Sequence, residues 1–158
     1  MDFRKEIKQN KQSKEETAQK VLGRIMRNVI IESPYAADSV EELELNIAYA
    51  RAALKDSMDH DEAPLASHLL YTQPGVLDDD IPAERKQGIE AGLSWRIAAD
   101  ATIVYQDLGI SHGMKLGCQL AEDSGNPVEY RNLPAKIMES LAERFPDFKD
   151  KLLKSKAA

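Results

Sequence analysis

The chain has 158 residues, 42% hydrophobic and 30% charged, which suits one domain with enough interior to fold unaided and is too apolar for wholesale disorder. No uncharged apolar run approaches the roughly 18 residues that cross a bilayer, so a membrane-embedded protein is excluded, and the polar N-terminus MDFRKEIKQNKQSKEE lacks a signal core, so cytoplasmic residence is expected. The single cysteine, Cys118, excludes an internal disulfide and a multi-thiolate zinc site.

Residues 1–20 carry six Lys/Arg against four Asp/Glu and residues 149–158 four against one, which leaves a net −11 on residues 21–148. Such a field repels a polyanion, so no nucleic-acid partner is expected. The lysines at 5, 8, 11 and 14, interleaved with Glu6, Glu15 and Glu16, suit a solvated helix face. Residues 1–26 are therefore read as an extra N-terminal helix, with Val21, Leu22 and Ile25 as an apolar stripe for a partner surface.

The run 28–33 (NVIIES) is a β-rich segment stopped by Pro34. Ser39 and Glu42 have capping-box spacing, and Leu43, Ile47, Ala50 and Leu54 recur at helical spacing, which predicts a helix over about 40–58. Residues 64–71 (PLASHLLY) read as a second strand, and QPGVLDDD then breaks every periodicity. A helix is expected from about Asp80 to Ala99, with Ile89, Leu93 and Ile97 on one face. The β-branched run 101–107 (ATIVYQD) is a third strand. A turn at 109–113 leads into a helix closed by Gly125, PVEYR (127–131) is a fourth strand, and helical stretches at about 134–145 and 147–155 end the chain.

Strands that alternate with helices of this length need right-handed crossovers, so the expected fold is an α/β three-layer αβα sandwich around a parallel, Rossmann- or flavodoxin-like sheet. The organisation expected is an N-terminal extension (1–26), the α/β domain (27–145) and a C-terminal helix or tail (146–158). In such sheets ligands bind beyond the carboxyl ends of the strands, which selects 33–38, 67–80 and 105–115.

The last of these segments places Asp107 at a strand end, then a glycine-containing turn, then a helix start whose free N–H groups favour anions, with Ser111 and Gly113 allowing close approach. Asp107 and Ser111 equally suit turn and cap duties. Tyr35 follows a strand end and offers a face for stacking on a base, with core packing as its other reading. Ser33 shares that strand end. His68 and His112 have no regular ligand spacing, and clustered Asp78, Asp79 and Asp80 more often cap a helix than hold magnesium, so no metal site is expected.

The strand-turn-helix YQDLGISHGMKLG, the opening strand VIIESPYA and the helix ending in AAD before ATIVY resemble the nucleoside 2-deoxyribosyltransferase-like superfamily. ESPYA, NIAYARAAL, ASHLLYTQPGVLDDDIP, GISHGM and PVEYR are similar to a small family of phage and bacterial proteins of that fold, over about residues 28–132. The resemblance implies a nucleoside or nucleotide ligand, a homo-oligomer, no cofactor, and host cytoplasm for a phage-encoded chain. It also implies a glutamate nucleophile in a G-M-E-L-G-like motif; Lys115 stands there in this chain. An ammonium cannot form a glycosyl ester, which leaves Asp107 or Glu90 as carboxylates for catalysis. Lys115 and His112 then join the expected ligand contacts. Three readings follow: a nucleoside- or nucleotide-binding protein acting on the N-glycosidic bond, an inactive binder or sponge of a nucleotide-derived signal, and a structural or assembly protein.

Overall fold

A computed structural model of the protein describes residues 9, 12–14, 16 and 26–154. Residues 9, 12–14 and 16 are helical and exposed; the N-terminal lysines at 5, 8 and 11 and the stripe Val21, Leu22 and Ile25 lie outside the described residues. The fold is α/β, with β1 (Arg27–Glu32), α1 (Val40–Asp59), β2 (Glu62–Leu65), α2 (Ser67–Leu70), α3 (Pro82–Ala98), β3 (Ala101–Tyr105), α4 (His112–Asp123), β4 (Val128–Arg131), α5 (Ala135–Arg144), a 3-10 turn (Pro146–Phe148) and α6 (Lys149–Leu153).

The four strands are parallel in the order β2-β1-β3-β4. The chain steps from β1 to β2 on one side and then returns past β1 to β3, so the order reverses between β1 and β3, and the carboxyl ends of those strands are the switch point. Val29, Ile30 and Ile31 are buried consecutively and β3 is buried throughout, as expected of parallel strands covered on both faces. Period-two alternation divides them. Val29, Ile31, Ala101, Ile103 and Tyr105 join Leu45 and Tyr49 of α1, Met138 and Leu141 of α5 and Leu152 of α6 in one large core. Val104 joins Met114 and Cys118 of α4 in a small one.

The helix starts follow the sequence closely. Ser39 caps α1, its Oγ accepting from the Glu42 N–H at 3.1 Å, while Glu42 reaches back to the Asp38 N–H. Gly125 ends α4 at φ +73°, a conformation that favours glycine. The second strand is a correction: it covers only 62–65, and the chain turns helical at Ser67, where Leu70 N–H bonds to Ala66 O at 3.0 Å. Leu65 is the last residue in register with β1, opposite Ile30. Beyond it the chain leaves the ladder while β1 runs on to Glu32, and the SHLL segment satisfies its backbone locally. β3 likewise stops at Tyr105, because Gln106 enters a turn closed by Gly109 N–H on Gln106 O.

Among the described residues no helix is long and apolar enough to cross a membrane.

Candidate functional site

Three predicted residues meet where β1 ends. Ser33, buried just beyond the strand, shares a 2.8 Å hydrogen bond between its Oγ and His68 Nε2 on α2. Tyr35 stands edge-on to His68, ring centroids 6.3 Å apart at 69°. Burial pulls the imidazole down to about 4, so His68 is neutral at pH 7 and bridges α2 to β1 without adding charge. The Asn46 amide, buried on α1, donates to Tyr35 O (3.1 Å) and Ala36 O (3.3 Å). That pair of bonds fixes the loop presenting Tyr35.

Beyond Tyr35 lies an open cleft of about 920 Å³, walled by residues 35–40 on one side and by 74–80, Glu84 and Arg85 on the other. Tyr35 also lines a narrower slot of about 110 Å³ that reaches His68, Tyr71 and Gly88. The cleft wall carries five carboxylates, Asp38, Asp78, Asp79, Asp80 and Glu84, against the one guanidinium of Arg85, which sits 3.8 Å from Asp79. Two of the acids also brace the loop: Glu84 accepts from the Asp78 N–H and Asp78 from the Asp80 N–H. The triplet does not cap α3, whose N-cap is Ile81 followed by Pro82. Net negative potential in this cleft disfavours a phosphate and suits hydroxyl or amino donors.

The remaining predicted residues lie elsewhere. Asp107 is a brace: its Oδ2 accepts from Tyr49 OH at 2.7 Å and from Leu133 N–H at 2.9 Å, and its own N–H donates to Tyr49 OH at 3.1 Å. Burial, reinforced by the Asp107 charge, pushes the Tyr49 phenol far above its ordinary range. Ser111 caps α4, its Oγ accepting from Met114 N–H at 3.2 Å. His112, Gly113 and Lys115 are exposed on the first turns of that helix. Glu90 is exposed on α3, 3.7 Å from Lys86. None of these lines the Tyr35 cleft or the slot behind it.

Carboxylates that the sequence does not single out include buried Asp56 and Glu62 and the largely covered Glu32. Glu32, the last residue of β1, pairs with Arg96 of α3, both side chains largely out of water. Burial lowers the Arg96 guanidinium from its ordinary value, and among the described residues its Nε has no hydrogen-bond partner. α4 makes room for the pair with Gly117: a Cβ there would lie 2.5 Å from Glu32 Oε1 and 2.7 Å from Arg96 Nη2. The signal was an acid directly after the buried apolar run Val29–Ile31. Among the described residues, no group of three His, Cys, Asp or Glu side chains is placed to hold a metal ion.

No curated protein and no solved structure matches the chain. A family model does match, over residues 27–131, from the first residue of β1 to the last of β4. The chain therefore belongs to the family described as domain of unknown function DUF7768.

Proposed function

We propose that the chain is a cytoplasmic nucleoside-binding protein that holds its ligand in the Tyr35 cleft without cleaving the N-glycosidic bond. The observation that carries this reading is the cleft itself: an aromatic ring just past the end of β1, with Asp38 on its own side, facing four carboxylates and one arginine. A base stacks on Tyr35, a contact worth ~1–3 kcal/mol, and sugar hydroxyls donate to the aspartates. The same charge disfavours nucleotides. The carboxylates expected to act on the anomeric carbon are committed elsewhere, Asp107 to Tyr49 and Leu133, Glu90 to the Lys86 side of an exposed helix.

The test is calorimetric titration with deoxynucleosides and their 5′-monophosphates, followed by chromatography of the recovered ligand. Nucleosides are expected to bind more tightly than their monophosphates and to come back intact, with Tyr35→Ala weakening binding about tenfold or more. Absence of nucleoside binding at millimolar concentration, or tighter binding of the monophosphates, overturns the reading.

A further inference from the structure

The outer face of the sheet is unevenly covered. α3 packs on β1 and α4 on β3 and β4, whereas the edge strand β2 carries an open groove of about 460 Å³ on that side. Parallel strands are normally covered on both faces, and the inner face of β2 already lies on α1. Burial falls off at this edge: Ile30 is buried, but its register partner Leu65 is only half-buried, as is Ala63. Most of the groove's lining is apolar. Ala63 and Leu65 contribute from the strand, Met58 (56% exposed) from the end of α1, and Trp95 (48% exposed) and Ala98 from α3. Met26, from which the chain enters β1, lines it too.

Where the chain enters says what covers this groove. Directly upstream of Met26 the sequence places the stripe Val21, Leu22 and Ile25, and residues 17–25 carry Lys20 and Arg24 with no acid, which suits a domain of net negative charge. Their length suffices: even wound as a helix, residues 17–25 span about 13 Å, as much as the four residues of β2. We propose that residues 17–25 pack into the groove through Val21, Leu22 and Ile25 and complete the outer layer over β2. The tether decides between occupants. A segment joined directly to the groove's own lining is present at an effective concentration of about millimolar, which a second copy of the chain does not match at ordinary protein concentration. The proposal is independent of the nucleoside reading, since the groove shares no lining residue with the Tyr35 cleft or the slot behind it.

Trp95 is the chain's only tryptophan and lines the groove, so its fluorescence in the full chain reads the cover directly. The expected result, at every protein concentration, is emission blue-shifted from that of a water-exposed tryptophan and slow quenching by acrylamide. Leu22→Asp should favour the open groove about tenfold or more, with red-shifted emission and faster quenching. Val21→Asp should act the same way, whereas Gln19→Ala, which leaves the stripe intact, should not. Amide exchange across β3 should be the same in every variant, which separates an opened groove from an unfolded domain. Trp95 as open to acrylamide in the full chain as in Leu22→Asp overturns the proposal. So does shielding that survives both aspartate substitutions, and so does shielding that appears only as concentration rises, which would assign the groove to a second copy.

Discussion

The two faces of the sheet are held by different physics. Against α1, α5 and α6 the strands bury a continuous apolar core in which Leu45, Ile31, Ile103 and Leu152 are almost wholly out of water. Against α3 and α4 the core is three buried side chains, Val104, Met114 and Cys118. Ile110 and Val128 pack partly buried against it, and two polar contacts stand beside it: the Glu32–Arg96 pair and Thr102 Oγ1 donating to Asn126 Oδ1 at 2.8 Å. Non-directional burial tolerates repacking, whereas a buried ion pair demands both partners. One face is thus held by area, the other by a few specified contacts.

The largest effect should come from breaking that pair. Arg96→Ala leaves Glu32 buried without its counter-charge and should cost about 3–5 kcal/mol in chemical denaturation; a loss under 1 kcal/mol would mean that α3 is held by something else. On the thick face Ile103→Ala should cost about 2–5 kcal/mol through lost transfer energy and the cavity left behind. The faces separate further when Arg96→Ala is combined with Glu32→Ala. Removing both charges should recover much of the loss, a recovery that no second truncation beside Ile103 can give.

Acid should loosen the molecule in two stages, read from melting temperature against pH. The His68 ring titrates at about 4 when folded and near 6.5 when unfolded, so protons favour the unfolded chain once pH drops below 6.5, and the loss is complete near pH 4. Burial alone would raise Glu62, but hydrogen bonds from Arg131, Ser57 and Arg27 hold it down to about 2. Its contribution is present above pH 4.5 and disappears as pH falls toward 2. Together they predict decline across pH 6.5 to 2; Ser33→Ala, which removes the partner of His68 but leaves it buried, should keep the upper stage. A smaller effect, about 1–3 kcal/mol, is expected for Tyr49→Phe, which strips one donor from Asp107.

Much of this architecture could be read from residue spacing. Continuous apolar runs at 29–31 and 101–105, the Ser39 cap and Gly125 at a helix end each carry a local physical cause, and the parallel sandwich followed from their order. What escaped was set by distant partners. SHLL folds as a helical turn that brings His68 to Ser33, a partner 35 residues earlier, and Asp107 is occupied by a tyrosine 58 residues earlier. The strand-end rule selected 33–38, 67–80 and 105–115, and of the residues in them Ser33, Tyr35 and His68 meet. It could not tell that the cleft would be built from the loops after β1 and α2 rather than after β3.

The glycine in the second turn of α4 makes positions 32 and 117 rivals for a single parcel of space. Only one of them can project a carboxylate toward Arg96, so a chain of this family with glutamate at 117 should carry a small residue at 32, and the exchange Glu32→Ala with Gly117→Glu should be tolerated where Gly117→Glu alone is not. The acid can be delivered from strand or helix while its location in the fold stays put.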